Sequence, residues 1–343
     1  SGTQNGESTA AVASETSGVD LANVYVHKFH AGGAFGRRVA HQDFTKQAVL
    51  IAMSMPNTPI RLQWSREEDM QQGRYRPVSM VKLKGALDKN KNWIGWHVRQ
   101  SDQSIMITVR PNAIKNGVDP VNTRCFKDQP YTVPNYTNEY SMRNTHVPPG
   151  FWRAVAHTNN PFARECFIDE LAIANKEDPY MFRRRHLEGT KDLQVLDAVA
   201  KAINWEESAK PTRGKGIAVV DSYGSYTAAA VELAVNDKKE ITIKRVVVAI
   251  NCGHVVHPNA VQAQIEGGVI WGLSAFMHEE ITIEKGRAVQ SNFIDYPVLK
   301  LSETPEVEAI IMPSGDFWGG VGEPPIGAVI PAAANAIFAS TGE

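Results

Sequence analysis

Apolar positions along this chain either alternate or recur at helical spacing, and the period switches repeatedly. The stretch "ESTAAVASETSG" predicts a short helix closed by Gly18. "HQDFTKQAVLIAMSM" carries helical spacing until Pro56 stops it. Alternation predicts strands at "NVYVHKFH", "PIRLQWS", "SMVKLKGALD" and "WIGWHVRQSD", the last two joined by the polar turn "KNKN". Residues 109–137 hold several Pro and Asn and read as a long loop. A strand at "EYSMRNTHV" precedes the loop "PPGFWRAVAHTNNPF" and a helix through "ARECFIDELAIANK". "DPYMFRRRHL" and "DLQVLDAVAKAINW" continue as helices.

"ESAKPTRGKG" reads as a linker to a second block. That block opens with strands in "GIAVVDSYGSYTAAAVELAV" and "EITIKRVVVAIN". A helix over "PNAVQAQIEGGVIWGLSAF", a hairpin around "EKGR" and a strand "EVEAIIM" follow. The glycine loop "GGVGEPP" then leads into the apolar helix "AVIPAAANAIF". The alternation predicts a mixed α/β fold in two blocks, residues 1–205 and 206–343.

Composition narrows the function classes. The chain is 43% hydrophobic and 21% charged, with a formal net charge of −1, the balance of an ordinary globular protein. That balance offers no footprint for nucleic acid or a membrane surface. No run approaches the ~18 apolar residues of a membrane-spanning helix. The chain starts at Ser1 without Met or a secretory signal and stops just after "FASTGE", so we read it as part of a longer polypeptide. Cys125, Cys166 and Cys252 form no CxxC pair, so any iron–sulfur cluster belongs to a partner.

Three loops rich in Gly or Pro each run towards a helix: "GGAFGRR", "PPGFWRAVAHTNN" and "GGVGEPP". Unpaired N–H groups at such places accept an anion or an oxo group; the plainer reading is a corner between elements. Neither a Walker lysine nor a true GxGxxG is present, which disfavours a nucleotide-binding oxidoreductase. Glu323 lies between Gly322 and Pro324 with an apolar helix beyond. It reads either as a general base in apolar surroundings or as a helix cap. Gln264, beside Gly267 and Gly268, reads as a contact where something approaches the backbone, or as helix packing. "CGHVVHP" superficially resembles a metal site but lacks a further clustered ligand, and "RRRHL" at Arg183 to Leu187 reads as a solvated or interface face of a helix.

Taken in order, "GGAFGRR", "GFWRAVAH…RECFIDELA", "QIEGGVIWGLS" and "GVGEPP" resemble the molybdenum-binding large subunit of the molybdenum hydroxylase (xanthine dehydrogenase/aldehyde oxidase) family. "FWRAV", "QSNFIDYPVL" and "ANAIFASTG" are similar to the family branch of the isoquinoline 1-oxidoreductase beta chain, which includes bacterial aldehyde dehydrogenase large subunits. "SGTQN", "WSREEDM" and "YTVPNY" also fit. The resemblance covers nearly the whole chain. It implies a molybdopterin-binding fold and a molybdenum–molybdopterin cofactor in its cytosine dinucleotide form. Glu323 matches the family's catalytic base. Gly32, Gly33, Ala34, Phe35, Gly36 and Arg37 match the glycine turn that approaches the cofactor. Arg153 and Ala154 match the loop beside the metal and pterin, Gln264 and Gly267 the cofactor-contacting helix, and Gly322 the loop of the base.

The resemblance also implies partners: a small subunit carrying [2Fe-2S] clusters, the N-terminal portion of the same large subunit, and in this branch a cytochrome c subunit. It implies a periplasmic setting, with the cytoplasm as alternative. The family's "MGQG" segment, a small-residue segment and a further glutamine loop are absent, so this chain alone is not expected to hold the cofactor. Val155 stands where xanthine-oxidising relatives carry an aromatic, and "AVAHTNN" brings His157 and Asn159 forward as substrate contacts. The reaction implied is oxidation of an aldehyde to its acid with water as the oxygen source. The alternatives are hydroxylation of an N-heteroaromatic beside nitrogen, and a non-catalytic assembly module of the same fold. Retention of Glu323 in an intact glycine loop argues against the last.

Overall fold

The computed structural model describes residues 1–206 and 213–342. Helix α1 (Gly6–Ser17) is capped by the Asn5 side chain and closed by Gly18 in the left-handed conformation. It packs on α2 (Asp43–Ser54), and a capping box through Ser65 and Glu68 starts α3 (Arg66–Gln71). Strands β1 (Ser79–Leu87) and β2 (Trp93–Asp102) pair antiparallel across the expected turn, and β3 (Asn135–Met142) adds parallel to β2. The short helix α4 (Met106–Val109) opens the long loop between β2 and β3. Helices α5 (Ala156–Ala174), α6 (Pro179–His186) and α7 (Lys191–Ala202) follow.

The second sheet has the order β4 (Arg213–Ser222), β5 (Ser225–Val235), β6 (Ile241–Asn251), β9 (Glu306–Ile311). Its first two pairings are antiparallel and the last is parallel. Helix α8 (Pro258–Met277) and the hairpin of β7 (Ile283–Glu284) and β8 (Arg287–Ala288) lie between β6 and β9. Helix α9 (Pro324–Thr341) ends the described chain.

This sheet is apolar on both faces, which the near-continuous runs "GIAVV", "TAAAVELAV" and "RVVVAI" foretell. Ile217, Val219, Ala228 and Ala230 join one core with Ile168 of α5 and Val195, Leu196 and Val199 of α7. Ala218, Val220, Ala229 and Val231 join the other with Val269 and Leu273 of α8 and Val329 and Ala333 of α9. Period-two alternation thus sends one strand's side chains into two cores. Helix α9 crosses β4 so closely that a Cβ on Gly216 would lie 2.1 Å from the Ala332 carbonyl. Only glycine admits that approach. Helices from before residue 205 therefore cover the sheet that follows it.

Several expectations are corrected. Residues 23–30 and 59–65 form no strand; they find no ladder partner, and Tyr25 and Phe29 stand exposed. The strand expected over 139–147 is Asn135–Met142. Residues 207–212 of the expected linker lie outside the described residues, while Arg213–Gly216 belong to β4. The "RRRHL" run is a solvated face only at Arg184 and Arg185. Arg183 is fully buried, donating from Nε to Glu165 at 3.0 Å and pairing with Asp169, while Arg184 and Arg185 meet Asp197 and Glu177. No helix among the described residues is long and apolar enough to cross a membrane.

Candidate active site

The glycine turn is not a strand-to-helix corner, because the segment before it is irregular. Its backbone is unusual: Gly33, Phe35 and Gly36 all have positive φ. Among the described residues the N–H groups of Gly32, Gly33, Ala34 and Phe35 make no hydrogen bond, so four consecutive donors are left unpaired. The Gly36 N–H is already taken by the Gln4 side chain at 3.2 Å, as is that of Arg38 at 3.3 Å. Arg37 turns to Asp43, donating twice at 3.0 and 2.9 Å. The donor set is therefore narrower than the motif suggests: backbone from Gly32 to Phe35, without Gly36 or the Arg37 side chain.

Phe35 fixes where that turn lies. Its ring stacks on Trp271 of α8 at 3.9 Å, and Trp152 lies 5.9 Å from Trp271. Gln264, Gly267 and Trp271 recur at i, i+3 and i+7, so they share one face of α8. Gln264 and Gly267 are exposed there, with nothing within 4 Å of a Cβ built on Gly267. Gly268 points elsewhere; its Cβ would be 3.1 Å from Pro325 of α9. The two glycines divide between the two readings: Gly268 serves packing, and Gly267 leaves an open surface beside Gln264.

Arg153 ties the loops together. Its Nε donates to the Gly322 carbonyl at 2.6 Å and its Nη2 to Gln264 Oε1 at 3.1 Å. Burial lowers its pKa, and the nearby Glu323 carboxylate opposes that shift. Ala154 and Val155 follow with φ of 76° and 49°. Positive φ is strained for both and most for the β-branched Val155. The strain aims the Ala154 N–H across the molecule at Glu323 Oε1, 2.8 Å away.

Glu323 occupies the N-cap position of α9, yet its side chain makes no cap hydrogen bond. Pro324 and Pro325 lack N–H groups, and the Ile326 N–H goes to the Glu323 carbonyl at 3.1 Å. The prolines leave the carboxylate free to serve the Ala154 amide, so the capping reading fails. Close packing holds the arrangement, since a Cβ on Gly327 would lie 2.2 Å from the His157 carbonyl.

Tyr223 was not singled out by the sequence. It sits with Gly224 in the β4–β5 turn, where φ values of 54° and 79° define a mirror-image hairpin turn. Its carbonyl accepts from the Gly320 N–H at 2.8 Å, and Ser225 Oγ donates to the Gly320 carbonyl at 2.7 Å. The hairpin thereby braces the loop of Glu323. The Tyr223 hydroxyl donates to the Ala154 carbonyl at 3.3 Å. Burial, then the adjacent Glu323 carboxylate, pushes this phenol well above its ordinary range, so it stays protonated. The "SYGS" turn was the available signal, but nothing local says where the ring points.

The expected substrate contacts separate. Val155 and Asn159 border a crevice with Arg76, and Asn159 accepts from Arg76 at 3.2 Å. His157 lies on the other side, 4.7 Å from the Tyr223 ring. Cys252 is buried, and His257 accepts from the Ala260 N–H to cap α8. The described residues contain no group of three or more His, Cys, Asp or Glu placed to hold a metal ion.

One face of α8 links these groups: Phe35 of the unpaired-donor turn stacks on Trp271, and Gln264 is joined through Arg153 to the loop that carries Glu323. They fit a large anionic cofactor held by backbone and amide contacts, with its metal carried by the cofactor itself. The class so defined is a cofactor-binding α/β domain with an acid–base group. Molybdopterin cofactor-binding domain models match residues 1–187 and 160–305, and the chain belongs to that family.

Curated relatives agree. The chain is 27% identical to a nicotinate dehydrogenase subunit of Pseudomonas putida, over 100% of its own length and 31% of the relative's. It is 28% identical to the beta chain of isoquinoline 1-oxidoreductase from Brevundimonas diminuta, over 91% and 41%. It is 27% identical to a membrane-bound aldehyde dehydrogenase [pyrroloquinoline-quinone] of Gluconacetobacter polyoxogenes, over 94% and 45%. The chain thus spans less than half the length of these relatives. The fold matches quinoline 2-oxidoreductase from Pseudomonas putida 86 with a TM-score of 0.86 at 12% identity, covering 99% of this chain and 69% of that one. The resemblance to the isoquinoline 1-oxidoreductase branch and the mixed α/β molybdopterin-binding fold are both borne out.

Proposed function

We propose that this chain is the base-bearing part of a molybdopterin-dependent oxidoreductase that oxidises an aldehyde to its acid with water. The carrying observation is the Glu323 carboxylate, held at one oxygen by the Ala154 amide and next to the Gly322 loop that Arg153 ties to Gln264. The molybdenum cofactor, when bound, supplies a Lewis acid and a two-electron acceptor. Gly32 to Phe35 would meet its anionic groups with backbone N–H donors, and Gln264 would meet it with its amide. Arg153 keeps Gln264 and the Gly322 loop in register. Glu323 would accept a proton from water at its carboxylate, which the Ala154 N–H holds in orientation through Oε1.

Val155 supports the aldehyde, because a short aliphatic side chain there provides no aromatic clamp for a flat ring. A second reading, hydroxylation of an N-heteroaromatic beside nitrogen, draws on the names of two relatives. Electrons would leave through [2Fe-2S] clusters on a small partner subunit.

The test is the molybdenum and released pterin of the purified native complex. Near-stoichiometric content per large subunit is expected. A folded, intact complex with neither would sink the reading.

A further inference from the structure

Arg76 is a half-buried cation with no ion-pair partner among the described residues. Burial pushes its pKa down to about 10, which leaves it charged at neutral pH. It borders the crevice of Val155 and Asn159, beside Pro77, Ile105 and Trp152. Asp102 lines that crevice as well, but it accepts from Ser79 and Gln100 and does not pair with Arg76. A guanidinium drawn from water without a countercharge costs free energy, so what it touches is informative. The crevice holds about 10 Å³, room for about one water, so it is not a seat for an anionic ligand.

Among the described residues, every hydrogen bond and ring contact of the Arg76 side chain falls on one loop and the helix turn that follows it. Its guanidinium lies 4.8 Å over the Trp152 ring. Its Nη2 donates to Thr158 Oγ1 and to Asn159 Oδ1, the latter at 3.2 Å. The Thr158 hydroxyl donates its one proton to the Val155 carbonyl at 2.7 Å. The Val155 N–H in turn donates to the Trp152 carbonyl at 2.8 Å. One guanidinium therefore grips both ends of the turn from Trp152 to Val155, which contains two strained positive-φ residues that persist only when held from outside. Backbone contacts set Arg76 in place: the Tyr75 N–H donates to the Pro148 carbonyl at 3.2 Å, and the Tyr75 carbonyl accepts from the Gly150 N–H at 2.8 Å.

We propose that Arg76 is a positioning residue for Glu323, acting through the turn from Trp152 to Val155 to keep the Ala154 N–H aimed at the carboxylate. The inference rests on the reading of Glu323 as the base. The Tyr223 hydroxyl and the His157 N–H already hold the Ala154 carbonyl. Arg76 holds the residues on either side. With Trp152 and Val155 fixed, the Arg153–Ala154 peptide between them has little freedom to turn its N–H away from Glu323 Oε1. An apolar side chain would fill the crevice without the cost of desolvating a charge, but it would give Thr158 and Asn159 no donor.

The test follows exchange of the Ala154 amide hydrogen in the purified full complex, by mass spectrometry of short peptides across residues 151–157. Arg76→Met keeps bulk over Trp152 and removes the donors, and Thr158→Val keeps the shape and removes the relay. Arg76→Met should speed Ala154 exchange at least ~10-fold, the scale of losing a charge-assisted hydrogen bond, and Thr158→Val about 3-fold or more. Amides of β6 should exchange as in the wild type, because the opening is local. Benzaldehyde oxidation with dichlorophenolindophenol as acceptor gives the second readout. Arg76→Met should lower kcat at least ~10-fold at unchanged KM, and should cost nothing further in a Glu323→Gln background. An arginine of merely structural importance would cost as much in both backgrounds. Unchanged Ala154 exchange in both variants, exchange that quickens in β6 as well, or equal kcat losses with and without Glu323 overturns the proposal. Faster Ala154 exchange beside a Glu323→Gln variant of undiminished turnover supports the clamp and overturns the base reading instead. A wild-type complex inert to benzaldehyde tells against the aldehyde reading, and the exchange result then decides the clamp.

Discussion

The Ala154 amide donates to Glu323 Oε1 at 2.8 Å across 169 positions of sequence. The contact joins a strained loop before one helix to the N-cap of another, and Tyr223 closes over it from a hairpin turn. A carboxylate so held has its geometry set before any substrate arrives.

Glu323→Gln keeps the size of the side chain and an oxygen for the Ala154 amide. The full complex should therefore retain its molybdenum and pterin while turnover falls at least ~10²-fold, the low end for a general base. Metal analysis beside steady-state kinetics checks it, and turnover within a few-fold of wild type removes Glu323 from the reaction.

Arg153→Lys removes the fork that reaches Gly322 and Gln264 together. A single ammonium does not reproduce two divergent hydrogen bonds. Molybdenum per large subunit should drop below stoichiometric, with turnover at least ~10-fold lower by analogy with losing two charge-assisted bonds. Full metal content and full turnover would show that the bridge is incidental.

Gly327→Ala places a methyl 2.2 Å from the His157 carbonyl, a clash with backbone that no side-chain rotation relieves. A destabilisation of about 1–3 kcal/mol is expected from overpacking. Denaturant titration measures it. An unchanged midpoint would mean that α5 and α9 separate more easily than their packing implies.

Asp192 carries a pH signature. Burial, then Asp221, raises its pKa to about 7 from an ordinary value of 3.8. Between these values the folded state keeps a proton that the unfolded chain has released, so this group's contribution to stability falls as pH rises through that window. Asp192→Asn should match the wild type near pH 4 and exceed it by roughly 4 kcal/mol at pH 8. Parallel stability curves across the range would refute the assignment.

Arg183→Met breaks a buried network in which Arg183 and Arg164 both meet Glu165. It leaves Asp169 without its ionic partner. A loss of about 3–5 kcal/mol is expected, typical of a buried charge stripped of its partner. A loss below ~1 kcal/mol, the range of exposed ion pairs, would contradict the burial.

Much of the fold was legible because the signals are local. Gly18 and Pro56 ended their helices as expected, and the "KNKN" and "EKGR" turns closed their hairpins. The failures have long-range causes. "NVYVHKFH" alternates like a strand but meets no neighbouring strand, and ladder hydrogen bonds require one. "RRRHL" is polar in sequence, but Glu165 and Asp169 on α5 supply the countercharges that permit Arg183 to be buried.

The sequence by itself determined most of the helices, the strands of the two sheets, and the glycine, proline and carboxylate residues from which the site is built. Periodicity, Pro and Gly act over a few residues, so these properties survive without knowledge of the fold. Only the tertiary structure decided their assignments: that Gly36 and Arg37 are spent on Gln4 and Asp43, that Gly268 packs while Gly267 stays open, and that Glu323 serves Ala154 rather than its own helix. Each assignment is a choice among partners brought close by burial of the two cores. A hydrogen-bonding group's local sequence states what it can donate or accept, but packing alone decides what stands within its reach.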